Sequence, residues 1–178
     1  MTPTPHQERL RDFDLLVLRH LPSALNLARW YVRNDDDAKD LVQEAMLRAF
    51  KAFATFRGHD GRIWLFTIIR NLYFSAVARK QPEPAVFDEE THPPQEPVDN
   101  PELILLRQTD SQTVRKAIES LSADVREVLI LRELEGLSYK EIADVTKVPL
   151  GTVMSRLYRA REQLRQYLAS YYAVKRVG

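Results

Sequence analysis

The chain has 178 residues, 44% of them hydrophobic and 29% charged, with a formal net charge of only +1: enough apolar material for one ordinary domain or two small ones. It contains no cysteine, which excludes disulfides and thiolate metal sites; its four histidines, His6, His20, His59 and His92, are scattered without a second ligand at metal spacing, so no metal or other cofactor is expected. No apolar run approaches the roughly 20 residues of a membrane span, and charges stand where a signal peptide would be apolar, so a soluble cytoplasmic protein without membrane insertion is expected.

Residues 1 to 80 carry 13 Lys/Arg against 9 Asp/Glu. Asp35, Asp36 and Asp37 precede the amphipathic stretch DAKDLVQEAMLRAFKAF, which ends near Phe53; acids at that place cap a helix and complement its dipole. The apolar arc of this helix gathers Leu41, Val42, Ala45, Met46 and Ala49. Leu47 lies opposite, among Asp40, Gln43, Glu44 and Lys51. An exposed leucine ringed by polar groups suits a partner anchor, although single exposed leucines are also ordinary surface. Gly58 and Gly61 mark a turn, after which Trp64 to Lys80 reads as another helix. The stretch FRGHDGRIWLFTIIRNLYFSAVARK interleaves Arg57, Arg62, Arg70, Arg79 and Lys80 with Phe56, Trp64, Phe66, Tyr73 and Phe74. Cations track a phosphate backbone and aromatic faces stack unpaired bases, so single-strand binding is compatible with this composition; the same aromatics serve equally as core.

The segment 81–101 holds six of the ten prolines and six acids with no Lys or Arg, and reads as a linker that cannot bury a core. Apolar residues recur at three- and four-residue spacing on both sides of it. The expected fold is therefore all-α, with helical domains over 1–80 and 102–178.

In the second domain, Ser122 is placed to cap a helix that stops at Gly136, and Ser138 with Glu141 forms a capping-box pattern for the next. The segment LSYKEIADVTKVPLGTVMSRLYRAREQLR then reads as a helix from Tyr139 to about Thr146, a four-residue turn around Pro149, and a second helix from about Thr152. That is the layout of a helix-turn-helix. At 100° per residue Val153, Leu157, Ala160 and Leu164 share one face. Thr152, Ser155, Tyr158 and Arg159 point away from it, with Met154 and Arg156 on the shoulders. From Lys147 onward the chain has seven basic residues and one acid, a balance that suits phosphate binding and equally a solvated helix face.

With these segments in view, the chain resembles the extracytoplasmic-function (ECF) group of sigma-70-type factors. DLVQEAMLRAF resembles the core-polymerase-binding helix, FRGHDGRIWLFTIIRN the −10 element reader, and LSYKEIADVTKVPLGTVMSRLYRAREQL the −35 reader. The resemblance implies a transcription initiation factor and not an enzyme, whose partners are core RNA polymerase, promoter DNA and an anti-sigma factor. It assigns polymerase docking to Asp40, Gln43, Glu44, Leu47 and Lys51. It directs −10 binding to Arg62, Trp64, Arg70, Asn71 and Tyr73, and −35 binding to Thr152, Met154, Ser155, Arg156, Tyr158, Arg159 and Arg161. It also implies that the acidic linker lies in the polymerase's positively lined RNA path.

The sequence departs from the family pattern twice. Met154 stands where Lys or Arg commonly follows G-T-V, and Lys147 stands at a turn position where glycine is frequent. A left-handed conformation at Lys147 would cost roughly 1 kcal/mol. The run from Gly136 to Ala143, GLSYKEIA, also resembles response-regulator output domains. That alternative requires a receiver or ligand domain, and residues 1 to 80 show no alternation of strand and helix.

Overall fold

A computed structural model of the protein describes residues 4–32, 34–58, 60–80 and 111–175. All regular structure among them is helical. The chain falls into two compact units. The acidic, proline-rich segment 81–101 lies outside the described residues.

The first unit is centred on four helices, α1 (Pro5–Leu16), α2 (Leu21–Tyr31), α3 (Asp35–Ala52) and α4 (Gly61–Lys80). α1 opens with a reciprocal capping box: the Thr4 hydroxyl accepts from the Gln7 N–H, and the Gln7 side chain accepts from the Thr4 N–H. α3 is capped by Asn34, whose Oδ1 accepts from the Asp36 N–H at 2.9 Å. The three aspartates expected to cap it occupy its first turn instead, where their charge meets the positive end of the helix dipole.

α2, α3 and α4 pack against one another through Ala24, Leu27 and Ala28, through Ala38, Val42, Ala45 and Ala49, and through Leu65, Phe66, Ile69 and Leu72, all buried. Alanine at three buried positions of α3, Ala38, Ala45 and Ala49, lets its neighbours approach closely. Each large side chain removed from water here contributes about 1.5–3 kcal/mol.

α4 begins at Gly61, three residues earlier than the sequence suggests. Two features account for this, one local and one distant in sequence. Asp60 Oδ1 accepts from the N–H groups of Arg62 and Ile63 at 2.8 and 3.2 Å, which satisfies the first turn. At Gly61 a Cβ would overlap the Leu16 carbonyl oxygen, so only glycine permits the start of α4 to rest against the end of α1.

The second unit is centred on α5 (Ser111–Glu119), α6 (Ala123–Glu133) and α8 (Leu150–Lys175), with the short α7 (Tyr139–Thr146) between α6 and α8 in sequence. α8 packs on α5 and α6. The interior of α6 is almost continuously buried, from Val125 through Val128, Leu129, Ile130 and Leu131. Its end is set by Gly136 at φ +68°, after which the Leu137 N–H donates back to the Leu131 carbonyl at 2.9 Å. Ser122 precedes the helix in extended geometry, but its hydroxyl donates to Asp124 Oδ1 and makes no bond to the helix backbone.

The turn between α7 and α8 spans Lys147 to Pro149, one residue shorter than expected, because α8 starts at Leu150 and not near Thr152. The Pro149 carbonyl accepts from the N–H groups of both Thr152 and Val153, which closes the first turn without a side-chain cap. Lys147 adopts φ +58°, the left-handed conformation in which its Cβ crowds the following carbonyl.

Candidate functional site

The capping box expected before α7 is formed in both directions. Glu141 Oε2 accepts from the Ser138 N–H at 2.6 Å, and the Ser138 hydroxyl accepts from the Glu141 N–H at 3.3 Å. Arg132 secures the same loop from α6: it donates to the Leu137 carbonyl at 2.9 Å while its guanidinium lies 5.0 Å from the centre of the Tyr139 ring.

On α8 the stripe Val153, Leu157, Ala160 and Leu164 is buried. Tyr158, roughly 130° around the helix from it at 100° per residue, is 47% exposed. Thr152, Met154, Ser155 and Arg159 are half-buried, and the Ser155 hydroxyl donates back to the Thr152 carbonyl at 3.0 Å. Arg159 makes no hydrogen bond or ion pair among the described residues.

Its two neighbours differ. Arg156 Nε stands 3.4 Å from Asp124 Oδ2, and Arg161 Nη2 stands 2.9 Å from Glu133 Oε1; both carboxylates belong to α6. Burial is the largest single influence on Arg161 and opposes its charge, yet the hydrogen bond and charge of Glu133 together with Tyr139 outweigh it and hold the guanidinium pKa above its ordinary value. Arg165 forms a local pair with Glu162.

In the first unit, the sequence left the aromatics of α4 divided between core and surface, and the structure places them in both. Phe66 is fully buried. Trp64 lies half-buried against Phe56, ring centres 4.6 Å apart, and Tyr73 stacks on Tyr31 at 4.8 Å with Phe74 edge-on to both. Arg70 lies over the Phe74 ring at 4.6 Å, Arg62 over Phe66 at 5.9 Å, and Asn71 is exposed. On α3, Asp40, Gln43, Glu44, Leu47 and Lys51 are all exposed; Leu47 retains 49% of its surface, and Glu44 is paired with Arg48 at 2.7 Å.

Comparison with known proteins gives these two units a common reading. Sigma-70 region 2 matches residues 16–83, and Sigma-70 region 4 matches residues 111–164. The RNA polymerase sigma-H factor of Pseudomonas aeruginosa is 39% identical over 168 residues, covering 89% of this chain and 86% of that protein. The ECF RNA polymerase sigma-E factor of Escherichia coli is 38% identical over 163 residues, covering 86% and 85%.

The chain is an ECF sigma factor of the sigma-70 family.

The sigma factor is also similar to solved structures. One is the sigma factor RpoE in complex with the anti-sigma factor NepR from Bartonella quintana, with TM-score 0.68 and 34% identity, covering 89% of this chain and 98% of that one. Another is CnrH in complex with the cytosolic domain of CnrY, with TM-score 0.63 and 27% identity, covering 90% of both chains. Membership assigns this sigma factor a non-enzymatic role in transcription initiation and sets aside the response-regulator alternative, since region 2 occupies the place a receiver would need.

Sequence reasoning on the sigma factor passed over Asp60, Tyr31, Asp124 and Glu133. Asp60 had a local signal, an acid immediately before the first helical glycine. The other three act across long sequence separations, which no local pattern reports. Among the described residues no helix is long and apolar enough to cross a membrane, and no cluster of three or more His, Asp or Glu is suited to a metal ion.

Proposed function

We propose that residues 1–80 dock on core RNA polymerase and assist −10 opening, that residues 102–178 hold the −35 duplex, and that 81–101 connects the two along the polymerase's RNA path. Leu47 is the central polymerase anchor, with Asp40, Gln43, Glu44 and Lys51 as its polar ring. Arg62, Trp64, Arg70, Asn71 and Tyr73 serve the −10 strand. Thr152, Met154, Ser155, Tyr158 and Arg159 form the surface that meets the −35 bases, while Arg156 and Arg161, which the resemblance also assigns to −35 binding, stand beside it paired with carboxylates of α6. The factor works in the cytoplasm, and an anti-sigma factor sequesters it; support for the latter comes from two solved relatives that are complexes with such proteins or with a partner's cytosolic domain.

One observation carries the −35 assignment. Arg159 stands on α8 beside the exposed Tyr158, away from the buried stripe, with its guanidinium uncommitted among the described residues. An arginine so presented can pair bidentately with guanine in the major groove. Its test is a promoter-variant binding series with reconstituted holoenzyme. Arg159→Ala is expected to cost about 1–3 kcal/mol on the preferred promoter and to flatten preference at one base pair. Unchanged affinity and preference would remove Arg159 and its face from the contact.

A further inference from the structure

The reading helix α8 carries Arg156, Arg159 and Arg161 within two turns, yet only Arg159 is without a carboxylate among the described residues. Arg156 is held by Asp124 and Arg161 by Glu133, from the two ends of α6. The Asp124 carboxylate is itself fixed, since its Oδ1 accepts from the Ser122 hydroxyl at 2.8 Å and its Oδ2 faces Arg156. The Arg156 side chain is only 13% exposed and that of Asp124 25%, so solvent screens this pair less than the surface pairs elsewhere on the molecule.

A guanidinium near duplex DNA that is not already neutralised adds a phosphate contact, and such contacts are indifferent to sequence. A guanidinium bound to a carboxylate adds none unless the pair breaks, and the carboxylate repels an approaching phosphate. We infer that Asp124 and Glu133 are specificity-determining residues of the −35 reader: they hold Arg156 and Arg161 off the DNA backbone and so restrain sequence-independent binding. A non-specific complex is free in register and orientation, so it can bring a released guanidinium to a phosphate. A promoter complex is held in place by its base contacts and gains less. Releasing the arginines therefore favours the wrong DNA more than the right one.

This inference rests on α8 being the −35 reader, and the experiment separates the two. Holoenzyme reconstituted with the full-length factor is titrated with a promoter duplex and with an equally long duplex lacking the promoter, between about 50 and 200 mM salt. Asp124→Asn keeps the shape of the side chain and removes its charge, and Glu133→Gln does the same; helical content is checked for each. On the non-promoter duplex each is expected to tighten binding at low salt. Each should also steepen the salt dependence by about 0.9 units, an additional loss of about 3.5-fold across that range. The ratio of promoter to non-promoter affinity should fall. Arg156→Gln alone should leave the salt slope unchanged, and in that background Asp124→Asn should no longer steepen it.

A pair that only braces α8 against α6 predicts weaker binding with an unchanged slope, and that result would overturn the inference. So would an equal gain on both duplexes, or a slope that falls with Arg156→Gln in the otherwise unaltered protein. Wild-type holoenzyme that ignores −35 substitutions would instead remove the −35 reading itself.

Discussion

The rings of Tyr31 and Tyr73 stack with centres 4.8 Å apart and planes 14° from parallel, so the middle of α4 is fastened to the end of α2 by an aromatic pair 42 positions apart in sequence. Tyr31 is buried and Tyr73 half-buried. Tyr73→Ala is expected to cost about 2–4 kcal/mol of stability, from lost burial and lost ring contact. Tyr73→Phe should retain most of it. Urea unfolding of both variants, with promoter opening measured alongside, separates packing from strand contact: a Phe variant with native stability and impaired opening would assign the hydroxyl to DNA.

Leu47→Asp places a charge at the centre of the proposed polymerase anchor, and is expected to weaken core binding by about 2 kcal/mol or more. Because the side chain is half exposed and outside the α2–α4 core, helical content should be unaffected. Affinity for core polymerase and circular dichroism on the same preparation decide it; native affinity in a folded variant would take Leu47 out of the interface.

Lys147 lies at φ +58° in the turn before α8, where glycine carries no Cβ penalty. Lys147→Gly should stabilise the fold by about 1 kcal/mol, seen as a higher denaturation midpoint at unchanged slope. A lower midpoint would mean that the lysine stem contributes packing that outweighs its backbone strain.

Met154→Arg adds a cation at the shoulder of α8 next to the reading surface. Tighter −35 binding is expected, with a salt slope steeper by about 0.9 units if the new side chain meets phosphate. A changed base preference at constant slope would show that it reads a base edge instead.

His20 has its pKa lowered by burial and by Arg19, against an opposing pull from Asp60. The sign follows directly. Above the unfolded value of 6.5 the imidazole is neutral in both states and stability is unaffected. As pH falls below it the unfolded chain binds the proton first, so stability declines until the folded pKa is passed. Denaturation at about pH 7.5 and about pH 5.5 should reveal that decline, and His20→Gln should reduce it; an equal decline in the variant would place its origin in other groups.

What the sequence disclosed and what it withheld divide along the range of the interactions. The buried stripe Val153, Leu157, Ala160 and Leu164, the Ser138–Glu141 box and the exposed Leu47 were all legible, because helical phase and capping are set within four or so residues. The left-handed turn at Lys147 was legible as a conditional cost, from its departure from the family pattern. The start of α4 was misjudged because Gly61 owes its place to Leu16, 45 positions earlier. The engagement of Arg156 and Arg161 was invisible for the same reason: helical phase says which way an arginine leaves its own helix, and nothing about the acid that meets it from another.

α8 runs without interruption from Leu150 to Lys175, with Leu164 and Leu168 seated in the core well beyond the last reading residue. At 1.5 Å per residue those 26 residues make a rod of about 39 Å, and a rod transmits rotation. Inserting one alanine after Arg161 would turn everything beyond it by roughly 100° relative to everything before. If Leu164 and Leu168 kept their seats, Tyr158 and Arg159 would swing that far around the axis. The aim of the reading face is thus encoded by counting: the number of residues between its side chains and their anchor fixes the direction in which it points.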